Sequence, residues 1–192
     1  MNHQQHIVIH FFFIIILLVL PFKLSIADDL KAIKLVEELH TVLHNNMKNG
    51  ESLGYQGRYD ILSPVIDQCF DFPLIAKVIL SQHWKKLDDQ EQVLFIDRFK
   101  KLTKATYAAR FNLYEGESFS TIGTESLKKG RLLVKTRIIL VDEDPVSLSY
   151  LVHPSDNHWK IISVIANGVN DLSLKRAEYS TVIREHGFNT LL

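Results

Sequence analysis

The sequence has few residues for covalent cross-links and no excess of either charge. Cys69 is the only cysteine in the 192 residues, so no intramolecular disulfide can form. The basic residues Lys and Arg number 22, and so do the acidic residues Asp and Glu. This balance gives no electrostatic reason to bind nucleic acid or an anionic membrane surface. A folded domain of this chain must therefore depend on its hydrophobic core.

Sequence signatures of catalysis and of cofactor binding are also missing. The chain has no glycine-rich phosphate loop, no nucleophile elbow and no cysteine–histidine arrangement that would activate a nucleophile. Three sets of polar residues are spaced so that they could meet, but each lacks the converging groups of a metal or acid–base site. These sets are His40 with His44, His153 with His158 and Asp156 around a turn, and Asp67 with Asp71. We predict no catalytic residue, no metal ligand and no cofactor.

The N-terminus contains the one long apolar run of the sequence, Phe11–Leu20. Ser25 and Ala27 then place small residues at positions −3 and −1 before Asp28. This layout predicts a secretory signal peptide over residues 1–27, cleaved after Ala27. The run is shorter than the roughly 20 residues of a membrane-spanning helix, and an uncleaved N-terminal anchor is the alternative. Residues 28–192 have the length of a single exported domain.

Apolar residues recur at three- and four-residue steps in the first part of this domain, which predicts helices. An amphipathic helix is predicted over Asp28–Met47, with Asp28 or Asp29 as its cap. A loop is predicted next, marked by Gly50, Gly54 and Gly57. A second helix is predicted over Tyr59–Cys69, and a third runs from a cap at Asp71 to about Gln82. A fourth begins with a capping box at Asp88 and runs to about Tyr114. The last helix is predicted over Asp171–His186, with Gly187 directly after it.

Beyond Gly116 the period of the apolar residues changes to two, which is typical of strands. Four strands are predicted, over Ser118–Thr124, Arg131–Val141, Pro145–Val152 and Trp159–Ala166. The short connections imply antiparallel neighbours. On the second strand the alternate positions from Leu132 to Leu140 are almost wholly apolar and should face the helices. The predicted fold class is α+β: N-terminal helices packed on a curved four-stranded antiparallel sheet, followed by a C-terminal helix.

Several residues occur in an order and at a spacing that resemble a known family. They are Phe70-Asp71, Trp84, Leu87 to Gln92, Phe95, Phe99 and Tyr107, and later Trp159-Lys160, Asn167-Gly168-Val169, Tyr179 and Gly187. In this pattern the chain resembles the MlaC/toluene-tolerance family of periplasmic lipid carriers, which are associated with an ABC transport system. The resemblance covers nearly the whole exported domain and implies an NTF2-like or cystatin-like fold.

Two short runs resemble one branch of that family more closely. Tyr107–Phe111 and Gly116–Phe119 are closer to the hopanoid-associated branch, HpnM, than to the phospholipid branch. The resemblance therefore implies a periplasmic shuttle that carries a phospholipid or a hopanoid-type lipid between membranes. It also implies transient contact with a membrane-bound ABC transport complex, and no nucleic-acid partner.

Aromatic residues are concentrated between Phe70 and Phe119, where helices would pack on the sheet. A pocket lined by such side chains would accept acyl chains or a polycyclic hydrocarbon. Each methylene of a ligand buried there contributes about 0.8 kcal/mol without any charged partner. The predicted lipid-binding residues are Phe72, Ile75, Val78, Ile79, Trp84, Phe95, Phe99 and Leu102 from the helices, with Val134, Thr136 and Ile138 from the sheet.

Two other interpretations stay open at this point. Aromatic residues at helical spacing can form a packed core, which would make the domain a scaffold without a ligand. An NTF2-like enzyme acting on a small hydrophobic substrate would instead place a pair of Asp, His or Tyr side chains deep in the domain. The predicted inward positions of the strands are apolar apart from Thr136. Lipid that co-purifies with the protein would distinguish a carrier from both alternatives.

Overall fold

A computed structural model describes residues 22–192 except Asn157. The apolar run of the predicted signal peptide lies outside the described residues. The helices are α1 (Phe22–Lys48), α2 (Gly50–Cys69), α3 (Phe72–Leu80), α4 (Asp89–Arg110) and α5 (Asp171–His186). The strands are β1 (Ser118–Leu127), β2 (Arg131–Ile139), β3 (Val146–Ser155), β4 (His158–Ala166) and β5 (Val169–Asn170). Short 3-10 turns follow α3, β1 and α5.

The five strands form one antiparallel sheet in the order β1-β2-β3-β4-β5. This arrangement confirms the predicted α+β class. The two-residue strand β5 was not predicted. It forms because Asn167 and Gly168 both adopt positive φ angles, 47° and 80°, and reverse the chain immediately after β4. Such a tight reversal places Val169 opposite Ala166.

One face of the sheet is covered by α1. On β2 the residues Leu132, Val134 and Thr136 are buried, and they alternate with more exposed neighbours. This alternation confirms the prediction that the apolar face of β2 points toward the helices. Helix α1 contributes Val36, Leu39 and Leu43 to the same core. The burial of this face holds the helices on the sheet through the hydrophobic effect.

The start of α1 differs from the prediction. The described part of α1 runs from Phe22, so Asp28 and Asp29 lie inside the helix and neither is its cap. No glycine or proline interrupts residues 22–27, and the backbone continues the helix through them. Asp29 lies inside the helix and its carboxylate accepts a hydrogen bond from the Thr124 hydroxyl at 3.0 Å. The side chain therefore connects α1 to β1.

The predicted loop after α1 is only partly confirmed. Helical residues already begin at Gly50, but Gly54 has φ 59° and ψ −178°, outside the helical region, and breaks the regular helix between its first turn and the rest. Gly50 lies next to the chain that leaves α4, where a Cβ atom would lie 2.0 Å from the carbonyl oxygen of Asn112.

Helix α4 begins as predicted and ends early. The Asp88 side chain accepts a hydrogen bond from the Glu91 N–H at 2.8 Å, and Glu91 accepts one from the Asp88 N–H at 3.0 Å. This is the predicted capping box. The helix ends at Arg110, four residues before the predicted end, and the Asn46 amide of α1 donates to the Phe111 carbonyl at 2.8 Å. A tertiary contact thus satisfies a carbonyl at the end of the helix.

Among the described residues, no helix combines the length and the hydropathy needed to cross a membrane.

Candidate functional site: an aromatic cleft between α3, α4, α5 and β4

An apolar cleft lies where α3, α4 and α5 meet β4. Its volume is about 50 Å³, whereas a site for a small molecule usually measures about 300 Å³ or more. The lining is mainly aliphatic and aromatic, with polar side chains from α4, α5 and β4. It consists of Phe70, Phe72, Ile75, Ile79, Phe99, Thr103, Tyr107, Ile162, Ser163, Asp171, Leu172 and Lys175. The cleft is therefore chemically suited to hydrocarbon, but it is narrow.

A row of aromatic rings passes through the lining of the cleft. Neighbouring ring centroids lie 5.5–6.4 Å apart in the order Phe111, Tyr107, Phe70, Phe72, Phe99 and Tyr179. Offset and edge-to-face contacts at these distances are attractive. The rings come from α3, α4, α5 and the segments beside them. The row thus connects these elements through apolar contacts, which a hydrocarbon chain can replace without leaving polar groups unpaired.

Asp71 determines where α3 begins and how it lies against the sheet. Its carboxylate accepts a hydrogen bond from the Leu74 N–H at 2.9 Å, which makes it the N-cap that the sequence predicts. Its second carboxylate oxygen lies 2.8 Å from Nε2 of His153 on β3. Its own N–H donates to the Ile161 carbonyl of β4 at 3.0 Å. These bonds orient α3 so that Phe72 and the residues one and two turns later point into the cleft.

The structure brings together four of the predicted lipid-binding residues. Phe72, Ile75, Ile79 and Phe99 all line the cleft. Phe95 lies directly behind Phe99, with 6.1 Å between the ring centroids, and is 2% exposed.

The other predicted residues lie outside the cleft. Val78 and Trp84 are partly buried at the end of α3 and in the turn that follows it. Leu102 points away from the core of α4 and is 48% exposed. The strand residues Val134, Thr136 and Ile138 belong to the part of the sheet beneath α1. Their contact with a lipid, like that of the residues in the cleft, stays a prediction.

Sequence reasoning missed the contribution of α5 and β4 to the cleft. Leu172 and Lys175 of α5 and Ile162 of β4 belong to the lining. The start of α5 is held to β4 by the Ser163 hydroxyl, which lies 3.0 Å from the Asn170 amide oxygen and 3.1 Å from the Asp171 carboxylate. The sequence did indicate that α5 starts close to β4, because the turn at Asn167-Gly168 returns the chain toward that strand.

Charged groups lie at the margins of the cleft. Burial by itself would raise the pKa of Asp67, but hydrogen bonds from Lys104 and Lys100 outweigh that effect and lower it. The pKa of Lys175 is raised, chiefly by its hydrogen bond to Glu178. Within the lining, burial raises the pKa of Tyr107 well above its ordinary value, so the phenol stays neutral. The charged residues of the lining are Asp171 and Lys175, both in the first part of α5, and the other lining side chains are neutral.

His40 pairs with a tyrosine in the core and not with His44. Its ring is 5% exposed, lies 4.1 Å from the Phe119 ring and has Nε2 2.8 Å from the Tyr150 hydroxyl oxygen. Burial lowers the pKa of His40 to about 4. The imidazole is therefore neutral at physiological pH. Because neither His40 nor Tyr150 lines the apolar cleft, this pair is a structural contact of the core.

The remaining candidate polar pairs also separate in the structure. His153 contacts Asp71, whereas His158 is exposed. Asp67 pairs with Lys100 and Lys104 at 3.2 and 2.6 Å. Within the part of the chain that the structure describes, no group of three or more His, Cys, Asp or Glu side chains is arranged to hold a metal ion.

The fold and the cleft define an α+β domain in which helices and an antiparallel sheet enclose an aromatic-lined apolar site. The family model described as "MlaC protein" matches residues 35–192. The chain therefore belongs to the MlaC family, whose members are periplasmic lipid carriers rather than enzymes.

A solved structure supports the same fold. The chain is similar to the phospholipid-binding protein from Ralstonia solanacearum, whose structure was solved in complex with a phospholipid. The TM-score is 0.73 and the sequence identity is 18%. The match covers 84% of this chain and 92% of the other chain.

Proposed function

We propose that this protein is a periplasmic shuttle that carries a phospholipid or a hopanoid-type lipid between membranes, as an auxiliary component of an ABC transport system. The observation that carries this proposal is the row of aromatic rings through a mainly apolar cleft in a member of the MlaC family. Hydrocarbon chains that lie against such rings gain about 0.8 kcal/mol for each buried methylene. The signal peptide over residues 1–27, cleaved after Ala27, is the corresponding export signal.

A lipid needs more space than the cleft of about 50 Å³ provides, so at least one wall must move. Helix α5 buries few side chains, since Tyr179 is the one that is almost fully buried. Elements with few buried apolar contacts open at a low free-energy cost. The N-terminus of α5 is held by the bonds to Ser163, whereas its middle is held by one polar contact, Arg176 Nη2 to Ser81 Oγ at 3.1 Å. We therefore assign α5 as the element that moves to admit lipid.

Lipid carriage is tested by purifying the full-length gene product from the periplasm without detergent and extracting it with organic solvent. We expect mass spectrometry to find a phospholipid or hopanoid-type lipid in near-stoichiometric amount. The intact protein mass should equal that of residues 28–192. A fully packed protein that yields no lipid would contradict the proposal, and an intact Met1 would indicate an anchored protein.

Fastening α5 to the end of α3 is expected to prevent lipid uptake. The variant carries Ser81→Cys and Arg176→Cys, and a short bismaleimide joins the two thiols after the lipid has been removed. Cys69 will not compete, because it is 2% exposed and burial raises the pKa of its thiol to about 11. Uptake of fluorescent phospholipid from vesicles is measured. The two single-cysteine variants, treated in the same way, should load normally. Equal loading of the cross-linked protein would show that α5 is not the moving wall.

A further inference from the structure

The strand β1 lies at one edge of the sheet and is long. It has ten residues and pairs with β2 along one side. Among the described residues no strand pairs with its other side, so this side presents a row of unpaired backbone donors and acceptors. Such an edge can accept a further extended strand through main-chain hydrogen bonds. The strand β5 at the opposite edge has only two residues and offers much less.

The start of β1 is acidic. Glu115 and Glu117 precede the strand, and the segment 142–144, which has three further carboxylates, follows the neighbouring strand β2. The two segments lie together, because a Cβ atom on Gly116 would come within 2.6 Å of the Val141 side chain. None of these five carboxylates forms an ion pair within the part of the chain that the structure describes.

Cations close to this end do not cancel its charge. Lys48 has its ammonium nitrogen 5.3 Å from the centroid of the Tyr114 ring. Arg137 is exposed on β2, where it lies opposite Ser120 of β1. Five carboxylates against these two cations leave an excess of three negative charges at the start of β1.

The other end of β1 is basic. The turn from β1 to β2 contains Lys128 and Lys129, which are both exposed. Neither lysine has a carboxylate partner among the residues that the structure describes. Arg131 follows, but it lines a groove that also contains three aspartates of α1 and of the turn before β4. The positive charge of this end therefore comes from the two lysines, and the strand carries opposite charges at its two ends.

We infer that β1 is the interface of a homodimer, in which the β1 strands of two copies pair antiparallel about a two-fold axis. An antiparallel pair places the start of each strand beside the end of the other. With the axis at the centre of the strand, between Ile122 and Gly123, Glu117 of each copy lies opposite Lys128 of the other. Two identical clusters of opposite charge thus form, one at each end of the interface. Parallel pairing would bring like charges together, which is unfavourable.

The centre of this interface is apolar. Ile122 is the extra residue of a β-bulge, has no partner on β2 and is 53% exposed. In the dimer it lies beside the two-fold axis, so the Ile122 side chains of both copies come close and are withdrawn from water. An interface of one strand pair is small and forms a weak dimer, and the charges at its ends determine its specificity.

The dimer leaves the aromatic cleft accessible. The cleft lies beside β4, whereas β1 is at the far edge of the strand order β1-β2-β3-β4-β5. Two copies joined through β1 would form one continuous sheet with a cleft toward each end. The inference is therefore independent of what the cleft carries.

Sedimentation velocity of the protein purified from the periplasm tests the inference. We expect a monomer–dimer equilibrium with a dissociation constant of about 100 µM, as suits a small interface. Raising the salt concentration from about 0.1 M to about 1 M should weaken the dimer several-fold, because the Debye length falls from about 10 Å to about 3 Å.

Reversal of either charge cluster should break the dimer, and the two reversals should complement each other. Lys128→Glu/Lys129→Glu is expected to raise the dissociation constant at least about tenfold, because negative charges then meet at both ends of the interface. Glu115→Lys/Glu117→Lys is expected to have the same effect through positive charges. An equimolar mixture of the two variants should recover the dimer, since each end again faces the opposite charge.

Lys85→Glu/Lys86→Glu is the matched control. These two lysines are also adjacent and exposed, but they lie in the 3-10 turn after α3. This variant should dimerise like the wild type, and thermal unfolding checks that every variant is folded. Amide hydrogen exchange locates the interface independently. Exchange in β1 should slow as the protein concentration rises, whereas exchange in β5 (Val169–Asn170) should not change.

Three results would overturn the inference. The first is a wild type that stays monomeric at the highest concentration. The second is a dimer that neither reversal weakens, or a mixture of the reversed variants that stays monomeric, because the interface would then not be β1. The third is a species larger than a dimer, which would indicate head-to-tail association without a two-fold axis. None of these results affects the proposed lipid carriage, which the co-purified lipid tests separately.

Discussion

Replacing Thr103 by phenylalanine is expected to abolish lipid carriage while leaving the domain folded. Thr103 is a small residue in the lining of the cleft and is only partly buried. A benzyl group at this position would project into the narrow cleft that Thr103 lines together with Phe72 and Phe99. Because it enters existing space, it should avoid most of the strain of about 1–3 kcal/mol that over-packing of a filled core produces. We expect at least a tenfold loss of co-purified lipid, measured by mass spectrometry.

Thr106→Phe provides the control for this variant. Thr103 and Thr106 lie one turn apart on α4, and each hydroxyl donates to the carbonyl four residues earlier, at 2.9 and 2.8 Å. Thr106 is not part of the cleft. The two variants should therefore have similar thermal midpoints, and only Thr103→Phe should lose lipid. If Thr103→Phe carries lipid at the wild-type level, the hydrocarbon lies elsewhere, and the predicted strand residues Val134, Thr136 and Ile138 become the next positions to enlarge.

Acidification from pH 6.5 to pH 4 is expected to cost the folded state about 3 kcal/mol through His40 alone. Burial lowers the pKa of His40 to about 4 in the folded protein, whereas the unfolded chain has the ordinary value of 6.5. Between these two values the unfolded state binds the extra proton, so stability falls as the pH falls. Well above pH 6.5 both states are neutral at this position and the contribution is constant. Urea unfolding measured from pH 7.5 to pH 4.5 tests the effect.

His40→Gln isolates the contribution of His40 from those of other titrating groups. The glutamine amide can still hydrogen-bond to the Tyr150 hydroxyl, whose oxygen lies 2.8 Å from His40 Nε2 in the wild type. This variant should be less stable than the wild type at pH 7, and its deficit should shrink steadily toward pH 4. Tyr150→Phe removes the partner but keeps the buried imidazole, so its pH dependence should stay close to that of the wild type. A His40→Gln deficit that is the same at every pH would show that His40 does not titrate in this way.

Features of the fold that depend on neighbouring residues could be predicted from the sequence, whereas features that depend on residues far apart in the sequence could not. The cap at Asp71 and the capping box at Asp88 could be predicted, because each hydrogen bond joins residues three positions apart. The break in the helix at Gly54 could be predicted too, because glycine readily adopts a positive φ angle. The early end of α4 could not, and the partner of the Phe111 carbonyl at that end is the Asn46 amide, 65 residues away in the sequence.

The candidate site shows the same division. Phe72, Ile75 and Ile79 could be assigned to a common face, because residues three and four positions apart on a helix are neighbours. The polar partners could not be assigned, since Asp71 meets His153 across 82 residues and Asp67 meets Lys104 across 37 residues. No periodicity in the sequence relates such positions.

The sequence by itself therefore determined the class of the domain, the order of its main helices and strands, the buried face of β2 and the resemblance to the MlaC family. These features follow from propensities and spacings within one element, which act over a few residues. Only the tertiary structure decided which apolar residues surround the cleft, and that α5 and β4 contribute to its wall. Those results depend on how separate elements pack, and packing brings together residues whose positions in the chain carry no common pattern.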